Sequence, residues 1–292
     1  MDLSLRDGCR LRVRVIGRGK PVILLHGFGL NANQWLPHAL SCSTSHSFII
    51  PDSRGHGTSK FRLGQESSPL ETMVCDLDEI IKQLDVRDFK LCGYSMGAIV
   101  GLAYTSTVRN PHQNSYLHIE AGPKFHSDED WSYGFNPQAI AKAVELLHLL
   151  PQEVDLGSSL HDMPKSFVRA YREFVWLLAR IAFPPGLMRR LMQGAPDLLC
   201  QPWLPDWQFT HRLFRWLLDE GFDLTSHLPE IPIPVHLVAA KQSEYFPVQS
   251  IKYMRERIKH SKLTVFHESG HGLMVSEPIK FVRTFRQFVR AK

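Results

Sequence analysis

The sequence predicts an α/β protein whose mostly parallel sheet is flanked by helices and interrupted by a helical insertion. Three observations lead to this prediction. Short apolar runs of strand length alternate with segments of helical periodicity in residues 1–123, and the alternation resumes in residues 229–292. A Gly-x-Ser-x-Gly run joins one such strand to one such helix. Between the two flanks, residues 124–228 have a helical pattern and hold five of the six tryptophans.

The strands of the first flank are indicated by their apolar content. Residues 11–15 alternate apolar and polar side chains, which predicts a half-solvated antiparallel strand. Residues 22–25 are a continuous apolar run, as expected for a strand buried on both faces of a parallel sheet. Residues 47–50, 89–92 and 116–119 are further short strands by the same criterion.

The helices and the second flank complete this pattern. Residues 70–84 carry apolar side chains at helical spacing, which predicts an amphipathic helix. After the insertion, strands are predicted at residues 234–240 and 263–266, and helices at 247–258 and 278–289. We therefore expect an α/β core made of residues 1–123 and 229–292, with residues 124–228 forming a helical cap.

Composition excludes several classes of protein. The 292 residues are 43% hydrophobic and 22% charged, which is typical of a folded globular chain. The five cysteines are an odd number without metal-like spacing, so a disulfide framework or a zinc site is not expected, and a reducing compartment fits. No apolar run is long enough to span a membrane and the N-terminal residues lack a signal core, which predicts a cytoplasmic protein without stable membrane insertion.

The net charge of +5 does not predict a nucleic-acid partner. Basic residues are spread over Arg6 to Lys20, Arg169 to Arg190 and Arg255 to Lys262, and they are not interleaved with aromatic residues on one module. Solvated helix faces explain these residues better than a nucleic-acid surface.

The Gly93-Tyr94-Ser95-Met96-Gly97 run has the pattern of a nucleophile elbow. It lies where an apolar strand runs directly into an apolar helix, and so sharp a turn needs small residues on both sides of the serine. The turn would hold Ser95 in a strained conformation with its Oγ at the N-terminus of the helix, where free N–H groups favour negative charge. Ser95 is therefore the candidate nucleophile.

A serine nucleophile needs an adjacent base, which is usually a histidine oriented by a carboxylate. Among 15 histidines, His271 stands out because it lies between Gly270 and Gly272 on the loop after the last predicted strand. That loop should lie at the same carboxyl edge of the sheet as the elbow. His271 is the candidate base.

Four motifs in order make the chain resemble α/β-hydrolase-fold enzymes. They are His26-Gly27-Phe28-Gly29, Asp52-Ser53-Arg54-Gly55-His56-Gly57, the elbow, and Gly270-His271-Gly272. The resemblance implies a mostly parallel eight-stranded sheet with the cap inserted after the sixth strand. It also implies that Ser95 is the nucleophile, that His271 is the general base, and that the backbone N–H groups of Phe28 and Met96 form the oxyanion hole.

The acid departs from the common pattern of this family. Most relatives have an Asp four residues before the proline in the loop after the penultimate strand, and here that position is Ser243, before Pro247. Glu244 is one residue along that loop. Glu120 ends the strand after the elbow helix, the place from which haloalkane dehalogenases of this fold supply a Glu. We favour Glu120 as the acid and keep Glu244 as the alternative.

The serine favours acyl transfer to water. We expect a carboxylesterase that cleaves small to medium apolar esters, because an aromatic cap would favour apolar acyl or alcohol groups. Alternatives with the same triad are a thioesterase, an amidase or a C–C bond hydrolase. A non-catalytic receptor for a small molecule on the same scaffold is a further alternative.

No metal or organic cofactor is expected, since no ligand cluster or dinucleotide fingerprint is present. The oligomeric state is not predicted.

Overall fold

The centre of the molecule is one eight-stranded sheet. The computed structural model describes residues 1–59, 68–149, 163–186, 189–190 and 207–291. The strands are β1 (Asp2–Ser4), β2 (Arg10–Gly17), β3 (Lys20–Leu25), β4 (His46–Pro51), β5 (Phe89–Tyr94), β6 (Gln113–Ile119), β7 (Val235–Ala240) and β8 (Ser261–Phe266). Their order in the sheet is β1-β2-β4-β3-β5-β6-β7-β8.

Pairing in this sheet is mostly parallel. Strand β2 pairs antiparallel with both β1 and β4, and every other neighbouring pair is parallel. The predicted fold class, a mostly parallel eight-stranded sheet of the α/β-hydrolase type, is therefore confirmed. Because the central strands are parallel, their carboxyl ends meet at one edge, and the loops that follow them can build a common site.

The central strands are buried on both faces. In β3, Ile23 and Leu25 belong to one hydrophobic core, whereas Val22 and Leu24 belong to a second core across the sheet. This alternation explains why β3 is a continuous apolar run: each successive side chain enters a different core.

Helices cover both faces of the sheet. Those in the described residues are α1 (Leu36–Leu40), α2 (Pro69–Gln83), α3 (Met96–Ala103), α4 (Pro137–Leu149), α5 (Lys165–Ala182), α6 (Trp207–Asp219), α7 (Val248–Arg257), α8 (Leu273–Ser276) and α9 (Pro278–Arg290). Helix α2 begins with a capping box, in which the Ser68 Oγ accepts from the Glu71 N–H and the Glu71 carboxylate accepts from the Ser68 N–H. None of these helices is both long and apolar enough to cross a membrane.

The predicted cap contains helices α4, α5 and α6, which lie between β6 and β7 in the chain. The two ends of this insertion lie side by side, because Lys124 and Asp223 form an isolated antiparallel bridge. The Lys124 Nζ also lies 3.1 Å from an Asp223 carboxylate oxygen. Residues 150–162, 187–188 and 191–206 of the predicted cap lie outside the described part of the chain.

Candidate active site

The elbow places Ser95 at the carboxyl end of β5, immediately before α3. Ser95 has φ 54° and ψ −120°, a conformation that costs on the order of 1–3 kcal/mol for a residue with a side chain. The flanking glycines are required by space: a Cβ on Gly93 would lie 2.2 Å from the Gly97 carbonyl oxygen, and one on Gly97 would lie 2.5 Å from that of Leu25. The strained turn therefore depends on both glycines.

Two residues that line the cavity at Ser95, Phe28 and Met96, have backbone N–H groups without an acceptor among the described residues. Phe28 follows β3, and its loop is held by a hydrogen bond from the Gly27 N–H to the Gln34 side chain at 3.1 Å. Met96 is the first residue of α3, where helical N–H groups have no intrahelical acceptor. Within the described residues, neither the Phe28 nor the Met96 N–H donates to another protein group. Both residues line the same cavity as Ser95.

His271 lies between Ser95 and Glu120. Its Nε2 is 3.0 Å from the Ser95 Oγ, and its Nδ1 is 3.3 Å from the Glu120 Oε2. A neutral imidazole satisfies both contacts when Nδ1–H donates to Glu120 and Nε2 accepts from the serine hydroxyl. His271 is 5% exposed and Glu120 is 1% exposed. Ser95, His271 and Glu120 therefore form one hydrogen-bonded row, in which the histidine and the carboxylate are buried and the serine is partly exposed.

The Glu120 carboxylate is held on one side by the backbone of β7. Glu120 follows β6 with φ 55°, and its second carboxylate oxygen accepts from the Ala240 N–H at 2.5 Å. This bond is possible because β7 lies directly beside β6 in the sheet. One oxygen is thus fixed by the end of β7, which leaves the other directed at His271.

The alternative acid, Glu244, lies elsewhere. Its carboxylate forms an ion pair with Arg189, and its side chain is 45% exposed. The Ser243 hydroxyl, at the family's usual acid position, accepts from the Tyr245 N–H at 3.4 Å. The geometry thus brings Glu120, and not Glu244, to His271.

A cavity of about 120 Å³ extends from Ser95 under the insertion helices. Apart from Ser95, the described residues that line it are apolar or aromatic. The insertion contributes Ala139, Phe174 and Phe214, among others. The predicted aromatic cap does therefore supply walls to a cavity that reaches the serine.

Sequence reasoning missed Tyr245. Its ring is stacked on the His271 imidazole with centroids 3.9 Å apart and an interplanar angle of 6°. Its hydroxyl donates to the Leu178 carbonyl oxygen in α5 at 3.1 Å. The sequence signal was its place in the loop after the penultimate strand, beside the position where relatives carry their acid, but no pattern indicated a contact with the base.

Comparison with known proteins shows the family of the chain. Residues 22–284 match the model of the alpha/beta hydrolase family. An esterase from Exiguobacterium antarcticum superposes with a TM-score of 0.80 at 25% identity, over 99% of each chain.

Relatives found by sequence cover nearly the whole chain. The AB hydrolase superfamily protein YisY of Bacillus subtilis is 26% identical over 98% of this chain and 97% of its own. Monoacylglycerol lipase ABHD6 of Bos taurus is 22% identical over 93% of this chain and 77% of its own. With an eight-stranded sheet, an elbow serine and a family model that spans most of its length, this chain belongs to the alpha/beta hydrolase family.

Proposed function

We propose that the protein is a serine hydrolase that cleaves carboxylic esters with apolar acyl groups through an acyl-enzyme on Ser95. One observation carries the proposal: Ser95 Oγ lies 3.0 Å from His271 Nε2 at the wall of an apolar cavity. A hydroxyl within hydrogen-bond distance of a base is the arrangement that nucleophilic catalysis requires.

The first half of the reaction forms the acyl-enzyme. His271 Nε2 takes the proton of Ser95 as its Oγ attacks the ester carbonyl carbon, and Glu120 stabilises the imidazolium that results. The Phe28 and Met96 N–H groups donate hydrogen bonds to the carbonyl oxygen as it becomes negative, and each donor of this kind is worth about 10²–10³ in rate. His271 then gives the proton to the leaving alkoxide, and the alcohol departs.

The second half uses water. His271 removes a proton from a water molecule that attacks the acyl carbon, and the proton returns to Ser95 as the C–O bond to the enzyme breaks. The carboxylic acid leaves and the free serine is restored.

The cavity supports an apolar acyl group. Its lining offers no charged side chain among the described residues, and burying a charged acyl chain there would cost far more than burying a methylene chain. Of the polar atoms in the lining aromatics, the Tyr245 hydroxyl is already bonded to Leu178. Two of the similar proteins, the esterase and the monoacylglycerol lipase, carry names consistent with such substrates.

The lining also separates this proposal from C–C bond hydrolysis. A carbon leaving group must be protonated, and a ring-fission product brings carboxylate and carbonyl oxygens that need polar partners in the pocket. The described lining, Ser95 aside, provides hydrocarbon and aromatic surface. A thioester has the same shape requirements as an ester, and so belongs in the substrate series that tests the proposal.

Hydrolysis of p-nitrophenyl esters of rising acyl length tests the proposal, with wild type, Ser95→Ala and His271→Ala compared. We expect turnover by wild type, a rise in kcat/KM from acetate to medium acyl chains, and loss of turnover in both variants. A fluorophosphonate should label wild type at Ser95 alone. Hydrolysis of acyl thioesters with no turnover of the matching oxygen esters would replace the proposal with a thioesterase. No turnover and no labelling of the folded wild type would favour the receptor alternative.

A further inference from the structure

Tyr245 connects the base to the insertion. Its ring covers one face of the His271 imidazole at 3.9 Å, and its hydroxyl ends on the carbonyl oxygen of Leu178, near the last turn of α5. The Tyr245 ring is thus in contact with His271 while its polar end is held by the insertion.

The backbone of Tyr245 is held by the insertion as well. The Asn136 N–H, at the start of α4, donates to the Tyr245 carbonyl oxygen at 2.9 Å. The Asn136 side-chain amide donates to the Glu244 carbonyl oxygen at 2.8 Å. The loop that carries Tyr245 is therefore attached to both α4 and α5.

A second attachment joins α5 to the loop of His271 itself. The Gly272 N–H donates to the carbonyl oxygen of Ala182, the last residue of α5, at 2.8 Å. A Cβ on Gly270 would lie 2.7 Å from that same oxygen, so the glycines on both sides of His271 permit the close approach. Leu178 and Ala182 are one helical turn apart, and each binds a group next to the base.

We propose that Tyr245 is a positioning residue that holds His271 in line with Ser95 and makes this alignment depend on the packing of α5. The inference rests on the proposed function, because it assigns a role in the activation of Ser95. The stacked ring restricts rotation of the imidazole away from the Ser95 Oγ. Its π face also favours the imidazolium that forms when His271 takes the serine proton. The hydroxyl fixes the ring through Leu178.

Two substitutions separate these contributions. Tyr245→Phe keeps the ring and removes the bond to Leu178, whereas Tyr245→Leu removes both. Tyr253→Phe is the matched control, because Tyr253 lies on α7 and its ring contacts Trp131 and Arg257, away from the serine. Circular dichroism and the Tm establish that each variant is folded.

The measurements are kcat and KM for p-nitrophenyl acetate and for a medium-chain ester, together with the rate of Ser95 labelling by a fluorophosphonate. We expect Tyr245→Leu to lower kcat and the labelling rate about 10- to 30-fold, as for loss of a desolvated cation–π contact. We expect Tyr245→Phe to recover most of this loss, remaining about 2- to 10-fold below wild type. The KM for acetate should stay near that of wild type, and Tyr253→Phe should match wild type throughout.

p-Nitrophenyl acetate is the decisive substrate because Tyr245 lines the cavity as well as contacting His271. The acetyl group is too short to depend on that part of the cavity wall. Equal losses for acetate and for the longer ester support positioning of the base. Full activity of Tyr245→Leu towards acetate, with loss confined to longer esters, overturns the inference and leaves Tyr245 as a wall residue. If wild type is labelled at Ser95 but hydrolyses no ester, the proposed function fails, while the labelling rates still measure the role of Tyr245.

Discussion

Glu120 lies 3.3 Å from His271, although 151 residues separate them in the chain. The contact arises because Glu120 directly follows β6, and Ser95 directly follows β5, the strand beside it. The usual acid position of the family is occupied by Ser243, which cannot stabilise an imidazolium as a carboxylate can.

Replacing Glu120 by Gln should lower kcat by about 10²–10⁴-fold, by analogy with the loss seen when a triad carboxylate becomes an amide. Glu120 accepts two hydrogen bonds, one from the Ala240 N–H and one from His271. A glutamine has one oxygen and an NH₂ group, so one of these donors would face another donor and His271 would be pushed to the wrong tautomer. Steady-state kinetics with p-nitrophenyl esters measures the effect.

Glu244→Gln is the matched control for this prediction. Its carboxylate pairs with Arg189 at a partly exposed position, where an ion pair contributes little to stability. We expect its kcat to stay within about threefold of wild type, the scale of such a weak exposed ion pair. A larger loss in Glu244→Gln than in Glu120→Gln would show that the acid is assigned to the wrong residue.

Ala143→Leu should restrict the enzyme to shorter acyl groups. Ala143 is 8% exposed and lines the cavity from α4, so added methylenes would enter space that an acyl chain fills. We expect kcat/KM for the longest ester hydrolysed by wild type to fall about 10- to 200-fold, with little change for acetate.

Ala141→Leu places the same side chain on the exposed side of the same helix. It should therefore leave the acyl-length profile unchanged. A uniform loss over all acyl lengths in Ala143→Leu would point to damage at Ser95 and would contradict the assignment of this wall to the acyl group.

The protein should lose stability as the pH falls from about 6.5 to 4. Burial lowers the pKa of His236 to about 4, with the positive charge of Lys262 adding to the effect, and burial lowers the pKa of His38 to about 4. Unfolding restores an ordinary value near 6.5, so the unfolded state binds these protons first and gains stability as they bind. Above about pH 6.5 neither state is protonated and this contribution is constant.

Urea unfolding between pH 7.5 and 4.5 measures this dependence. Each of these histidines changes the free energy of unfolding by about 1.4 kcal/mol per pH unit between its folded and unfolded pKa values. His236→Gln should reduce this slope by the contribution of one histidine. In wild type the Thr264 hydroxyl lies 2.8 Å from the His236 Nε2, and the glutamine amide can still bond to that hydroxyl. Equal slopes for wild type and His236→Gln would contradict the prediction.

Much of the fold could be predicted from the sequence because buried positions carry apolar residues at strand or helix spacing. The predicted strand at residues 22–25 lies within β3, and the helix predicted at 70–84 is α2 displaced by one residue. Strand β1 was missed because its three residues, Asp2–Ser4, are too few to show alternation.

The candidate site was less accessible because it depends on which strands are neighbours. The sequence left Glu120 and Glu244 as alternatives, since nothing in a strand's composition states which strand lies beside it. The pairing of Tyr94 with Ile119 is what brings Ser95 and Glu120 to adjacent strand ends. The stacking of Tyr245 on His271 could not be predicted for the same reason, because the two residues lie in separate loops that meet only in the folded chain.

Because Glu120 follows a strand of the sheet, the serine and the carboxylate are positioned by the sheet, whereas much of the cavity wall comes from the insertion and the loop after β7. Ser95 and Glu120 follow neighbouring strands joined by backbone hydrogen bonds, so their spacing does not depend on side chains of the insertion. The loop after β7 does not supply the carboxylate beside His271, and its Phe246 lines the cavity. Substitutions at cavity-lining residues such as Ala143 and Phe246 can therefore change which molecules are accepted, provided that Tyr245 and its bond to Leu178 are kept.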